Sequence, residues 1–377
     1  RPVLTALQRR AAGARVRPRA APAERTKALG VWSAIAAGGA AFGLLLGGLL
    51  TDTLSWAWIF LVNVPVGVGA VLAALRWVPE SRAGLTHRIF DLAGAATVTG
   101  GLMLLVYTIV KAQQYGRGAS ETLLLGETSL VILAGFVVIE QRSRHPLVRL
   151  SIFRVRSLTS ADLILMLLGA GMYSMFYFAS LYTQDFLGYD PLQAGLAFLP
   201  VSVGIIVGAV AAQQLIGRVG VRAVGTAGLM IATAGMILLT GITPAGTYLG
   251  SLLIGLGPLS IGIGLTFVPI TLLATANVSD EDAGLASGLY NTSQQIGGAL
   301  GLAILSTLAA DKTTSALMVL GRAPAAADRA AATVDGFQVA FIGGAIALGL
   351  AAILMRSLIR PSDVDSIDPT TPLPVPG

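Results

Sequence analysis

Gly38-Gly39-Ala40-Ala41-Phe42-Gly43-Leu44-Leu45-Leu46-Gly47-Gly48, followed after a short turn by Trp56-Ala57-Trp58-Ile59-Phe60-Leu61-Val62-Asn63-Val64-Pro65-Val66-Gly67, decides how the chain is read. A bilayer core about 30 Å thick is crossed by ~20 mostly apolar helical residues, and each of these runs lies in a stretch of that length. Gly39, Gly43 and Gly47 recur every fourth position and so form one bare stripe, which lets a neighbouring backbone approach closely. By itself that stripe signals helix packing. Working outward, apolar stretches of spanning length recur at 29–50, 57–77, 92–110, 123–139, 158–182, 194–215, 221–241, 249–271, 283–308 and 337–357. No ~10-residue alternating segments of a membrane barrel occur. The expected fold class is an all-α membrane protein with about ten transmembrane helices.

Composition agrees. Mean hydropathy is +0.77, and 12% of residues are charged, against roughly 25% in a soluble domain. The net charge of +6 could point to nucleic acid, but the distribution of the charge excludes it. Of the 25 basic residues, only Lys111, Arg117, Lys312, Arg322 and Arg329 fall on one side of the alternating loops. Basic residues stay cytoplasmic during insertion, so both termini are expected in the cytoplasm. The absence of cysteine rules out disulfides and thiolate metal sites. His87 and His145 do not cluster, and no metal site is expected.

The loops group the spans. Residues 1–28 form a basic cytoplasmic segment, 29–77 hold two helices, 78–157 form a charged linker with two more, and 158–357 hold six. The long outer loop Ala309–Gly336 is Ala-rich and polar, with some helical character. The tail 358–377, rich in Pro, Asp and Thr, is expected to be a disordered cytoplasmic end.

The quoted stretch resembles the major facilitator superfamily, specifically its fourteen-helix drug:proton antiporter branch. There the fifth helix carries a G-x-x-x-G-P-x-x-G-G antiporter motif and the sixth begins W-R-W-x-F-x-x-N-x-P. Gly39, Gly43, Gly47 and Gly48 match the first motif, with Leu44 in place of proline; Trp56, Trp58, Phe60, Asn63 and Pro65 match the second, with Ala57 in place of arginine. Leucine at that position should leave the helix straighter. Asp91-Leu92-Ala93-Gly94 resembles the start of the first extra linking helix, and the run from Ala283 to Gly298 resembles the penultimate helix. The resemblance implies a partial major facilitator fold: family helices five to fourteen, comprising the end of the N-terminal bundle, the extra pair and a complete C-terminal bundle.

The resemblance also implies a cytoplasmic latch at Arg218, Gly220 and Arg222, where glycine turns the chain and arginine pairs with carboxylates or helix C-termini on the facing bundle. The competing reading is that these arginines only fix topology. Acids inside lipid are expensive and tend to be functional. Asp91 and Asp162 are the proton-linked candidates, although both sit near helix starts, where the dipole favours them anyway. Candidates for a substrate cavity are Tyr173, Phe176 and Tyr177, with Met172 and Met175 among them, and the polar face Ser287, Asn291 and Gln294. Packing is the competing reading for the aromatic group, and a hydrogen bond to a neighbouring helix for the polar face.

The functional expectation is proton-driven efflux of small amphipathic compounds across a bacterial cytoplasmic membrane. It needs no cofactor beyond the proton gradient; the expected partners are a small amphipathic substrate and the lipid bilayer, with no nucleic acid and the oligomeric state left open. Export of an endogenous metabolite, or a truncated and transport-incompetent membrane fragment, remain open alternatives. No phosphate-binding glycine loop or nucleophile-and-base arrangement suggests an enzyme.

Overall fold

The computed structural model describes residues 39, 43, 46–77, 91–116, 118–143, 146–275, 277–279 and 282–360. The basic segment 1–28, most of span 29–50, residues 78–90 of the linker and the tail from 361 onward lie outside the described residues.

Every described regular element is a helix. α1 covers 46–53, α2 Trp58–Leu61, α3 Asn63–Trp77, α4 Leu92–Tyr115 and α5 Ser120–Arg142. A short 3-10 turn, Leu150–Arg154, leads into α6 at Arg156–Asp185. Then follow α7 Pro191–Ala197, α8 Leu199–Val219, α9 Val221–Leu239, a π turn at Tyr248–Leu252, α10 Leu253–Thr275, α11 Ala283–Met318 and α12 Ala326–Leu358.

Local chemistry sets several boundaries. Asp190 accepts the Gln193 amide at 2.7 Å while the Gln193 side chain accepts the Asp190 amide at 3.3 Å. With Pro191 at the first helical position, this capping box starts α7. Gly220 has φ of 83° and turns the chain between α8 and α9, a backbone conformation that side-chain-bearing residues resist.

Eight helices among the described residues are long and apolar enough to cross a membrane: 58–77, 92–112, 120–142, 156–185, 191–219, 221–239, 248–275 and 326–358. Two of the ten expected spans are missing from this group. The first lies mostly outside the described residues. The ninth, expected at 283–308, is the helix α11, whose Ser, Asn and Gln residues lower its hydropathy. It is nonetheless packed along α6 and α12.

The expected outer loop Ala309–Gly336 shrinks to residues 319–325, because α11 runs on to Met318 and α12 begins at Ala326. Alanine is the best helix former, so the Ala-rich stretches extend both helices beyond their apolar parts. At the α12 start, Arg322 pairs with Asp328 at 2.7 Å.

The core lies within α6–α12. Leu158, Leu165, Leu168 and Met175 of α6 are fully buried, as are Leu229 and Met236 of α9 and Phe341, Leu348 and Met355 of α12. Lipid offers no hydrophobic drive between helices, so close contact must hold them together. Glycines supply it. A Cβ on Gly169 would stand 2.5 Å from the Gln294 carbonyl oxygen, and a Cβ on Gly297 would overlap the Met166 backbone, so α6 and α11 touch main chain to main chain. α9 and α10 approach in the same way through Gly235 and Gly262. α4 and α5 pack on each other and lean on the bundle through α11, where the Thr307 hydroxyl donates to the Ile109 carbonyl at 3.3 Å. α3 has no buried residue.

Candidate functional site

Arginines gather at one end of the bundle because the helices run up and down. Arg156, in the first turn of α6, donates from Nε to the Leu358 carbonyl at 3.0 Å. Arg222, in the first turn of α9, donates from Nη2 to the Arg356 carbonyl. Both guanidiniums therefore sit on the C-terminus of α12, where orphan carbonyls and the negative dipole end favour cations. Of the residues expected to form a latch, Arg222 reaches a helix C-terminus within its own bundle, Gly220 makes the turn and Arg218 is exposed. At the same end, Arg149 pairs with Asp282 at 3.2 Å, tying the linker to the start of α11.

The aromatic and polar candidates on α6 and α11 separate into two sets. Tyr173 lies across Gly298, its ring 2.7 Å from where a Cβ would stand, and its hydroxyl donates to the Gln295 side-chain oxygen of α11. Tyr177, one turn on, is 44% exposed. Ser287 and Asn291 are exposed and bond back along their own helix, to the carbonyls of Ala283 and Ser287, each at 2.9 Å. Tyr290 and Thr271 join α11 to α10, hydroxyl to hydroxyl at 3.1 Å. Tyr173, Tyr177 and Gln295 make up a neutral polar and aromatic part of the α6/α11 face.

The rest is packing. Phe176 is partly buried against Phe198 at 5.5 Å between ring centroids. Gln294 is partly covered, with its backbone against Gly169. Met175 is fully buried. Tyr182, further along α6, is fully buried, stacked on Phe186, and donates to the Thr243 carbonyl at 2.8 Å.

Three carboxylates stand out. Asp162, in the second turn of α6, is 5% exposed, and neither of its oxygens has a hydrogen-bond partner. Ser293 of α11 stands beside it as the nearest hydroxyl donor, outside the geometry of a formed hydrogen bond. A buried carboxylate without partners is costly. Asp91 caps α4 by accepting the Gly94 amide at 2.7 Å, while its Oδ2 is buried without a partner. Glu140, at the end of α5, is 3% exposed and accepts the Val148 amide at 3.2 Å through one oxygen; the other is unpartnered. Asp91 and Glu140 meet over Gly94, where a Cβ would stand 2.8 Å from Glu140 Oε1 and 3.1 Å from Asp91 Oδ2. Sequence reasoning missed Glu140, Ser293 and Gln295. The available signal for Glu140 was an acid at the immediate end of an apolar run.

The glycine and tryptophan motifs lie apart from this face. Gly39, Gly43 and Gly47 have open space where a side chain would stand, whereas a Cβ on Gly48 would stand 2.7 Å from the Pro191 carbonyl oxygen at the start of α7. Trp56 and Trp58 are exposed, with Trp56 edge-on to Phe60 at 6.2 Å. Asn63 donates back to the Ile59 carbonyl at 2.8 Å, and Pro65 sits in the first turn of α3, where its missing N–H costs nothing.

A family model described as Major Facilitator Superfamily matches residues 9–302. The chain is 37% identical to a puromycin resistance protein of Streptomyces alboniger over 90% of its own length and 67% of the relative's. It is 37% identical to a cephamycin export protein of Amycolatopsis lactamdurans over 77% of its own length and 60% of the relative's. A tetracenomycin C resistance and export protein of Streptomyces glaucescens is 32% identical over 77% of this chain and 54% of the relative. The chain thus spans about half to two thirds of the length of these relatives.

Proposed function

Because the chain belongs to the major facilitator superfamily, we propose that it acts in secondary active efflux, moving small amphipathic compounds out across a bacterial cytoplasmic membrane in exchange for protons. The helices make it a multi-pass membrane protein. The matches are consistent with the fourteen-helix drug:proton antiporter branch. In the proposed orientation the arginine-bearing end faces the cytoplasm, in keeping with the retention of basic residues there.

The observation that carries the coupling is Asp162. Its carboxylate is buried in α6, faces α11 and has both oxygens unpartnered. Alternating access occludes and exposes such a group in turn as the helices close and part. Proton exchange requires this of a coupling acid. The helix pair that encloses Asp162 also carries Tyr173 and Gln295, so substrate contacts and proton occupancy act on one interface. Aromatic faces and neutral hydrogen-bonding groups suit planar or cationic lipophilic compounds.

A second reading, export of an endogenous metabolite, is suggested by the relatives that are a cephamycin export protein and a tetracenomycin C resistance and export protein. Membrane vesicles with and without the protein, given a panel of fluorescent cationic dyes under an imposed or collapsed pH gradient, separate the two. Gradient-dependent extrusion of several unrelated dyes supports the first. Gradient-dependent extrusion of the cell's own product, with no dye moved, supports the second. No difference from empty vesicles contradicts both.

A further inference from the structure

α11 is fastened to the α4/α5 pair at two points. Part-way along its length, the Thr307 hydroxyl reaches the Ile109 carbonyl of α4 at 3.3 Å. At the arginine end the tie runs through the linker. Glu140, 3% exposed, accepts the Val148 amide at 3.2 Å, and Val148 is packed on the core. The next residue, Arg149, pairs at 3.2 Å with Asp282, which immediately precedes α11. Both partners have braced backbones: the Arg149 carbonyl accepts the Ile152 amide at 2.9 Å, and the Asp282 amide donates to the Ser279 carbonyl at 3.0 Å. Between the two ties, α4 and α11 leave a groove of about 540 Å³, lined by Leu102, Met103, Val106, Ile296, Ala299 and Leu300 among others. Gly297, Gly298 and Gly301 face α6, against Met166, Tyr173 and Ala170. At 3.6 residues per turn, Ile296, Ala299 and Leu300 fall on the opposite side of α11. The helix is thus gripped in front by α6 and has space behind it.

We propose that the Arg149–Asp282 pair is a clasp that positions the start of α11 on α6, and that its opening lets α11 tilt into the groove and uncover Asp162. The inference rests on the efflux reading only in giving Asp162 its proton. The ties differ in kind. Glu140 and the Val148 amide are shut away from water, so breaking their bond would strand a buried carboxylate. The side chains of Arg149 and Asp282 are 55% and 28% exposed. An ion pair in that setting adds little to stability, because water replaces each partner as it parts. The linker therefore stays with α5 while its grip on α11 opens and closes. Asp282 and Ser293, the neighbour of Asp162, stand ~16 Å apart along α11 at the helical rise of about 1.5 Å per residue. Movement at the clasp thus reaches Asp162 along one rigid helix, which pivots at Thr307. Arg149 touches neither proton nor substrate and acts as a positioning residue.

The test needs no transport, so the clasp and the efflux reading fail separately. Because the chain contains no cysteine, Ala286→Cys, at a position 1% exposed in the first turn of α11, gives a single buried thiol. Labelling of the full chain in detergent with N-ethylmaleimide, followed by intact mass, reads how often the start of α11 parts from the core. Adding Arg149→Ala should speed labelling about threefold, the weight of one partly exposed ion pair. Exchanging the charges, Arg149→Asp with Asp282→Arg, should restore most of the slow rate. Ala212→Cys, buried in a separate cluster with Val224 and Leu265, should be indifferent to Arg149→Ala. Leu285→Cys, partly buried on the same core as Ala286, is a second reporter should Ala286→Cys lower the melting temperature. No change at both reporters, equal acceleration at Ala212→Cys, or no recovery on charge exchange would overturn the assignment.

Discussion

Arg156 donates from Nε to the carbonyl of Leu358 at 3.0 Å, joining the first turn of α6 to the last turn of α12 across 202 positions of sequence. With Arg222 on the Arg356 carbonyl, it closes the C-terminus of α12 at the end of the bundle that carries most of the charge. Arg156→Ala removes one of the two cations on this helix terminus and leaves the Leu358 carbonyl without its donor, which should destabilise the bundle by about 1–2 kcal/mol. Arg156→Lys should recover part of that. Thermal unfolding in detergent, followed by circular dichroism, reads the difference.

Glycines at the helix contacts are expected to be the least replaceable small residues. A Cβ on Gly297 collides with the backbone of Met166, so Gly297→Val should push α6 and α11 apart and cost about 1–3 kcal/mol or more. Gly217, near the end of α8, has nothing within 4 Å of an added Cβ. Gly217→Ala should therefore leave the melting temperature unchanged or raise it slightly. Equal losses for the two variants would contradict the close-contact account.

How far these features can be read from the sequence depends on their range. Spans of α6 to α10 follow from runs of apolar residues, which the bilayer imposes on any crossing helix. α11 was recognisable because its apolar content is still high between its polar positions, although its polar face keeps it below the hydropathy of the others. The α11 and α12 ends were hidden, because alanine continues a helix into water as readily as polar residues leave one.

Site residues were harder. Helical periodicity gave the face Ser287, Asn291 and Gln294, but the residue that meets Tyr173 is Gln295, because the α6 crossing buries the Gln294 backbone against Gly169. The crossing angle is a tertiary property that spacing along one helix does not contain. Glu140 likewise became notable only when folding brought it over Gly94 beside Asp91.

The Tyr173–Gln295 contact offers a substrate test. If this face binds dye, Tyr173→Phe and Gln295→Ala should each weaken binding about fivefold, the loss of one ordinary hydrogen bond. Stability should change by less than about 1.5 kcal/mol. Dye fluorescence titration of the purified protein measures the first and thermal unfolding the second. Unchanged affinity in both variants would remove this face from the binding site.

Orientation can be checked directly, since the chain contains no cysteine. Single cysteines at Arg149 and at Ala323 lie at opposite ends of the bundle, next to the Arg149–Asp282 and Arg322–Asp328 pairs. A membrane-impermeant maleimide added to intact cells should label Ala323→Cys and spare Arg149→Cys until the membrane is opened. The reverse pattern would invert the topology.

Proton exchange through Asp162 is the central claim, and substrate-driven proton flux tests it most directly. Liposomes containing the protein, loaded with a cationic dye and an internal pH indicator, are diluted into dye-free buffer. As dye leaves, protons should enter and the lumen should acidify, whereas Asp162→Asn should still release dye with no acidification. Acidification of equal size in the Asp162→Asn protein, or dye release without any pH change in the unaltered protein, would contradict the account.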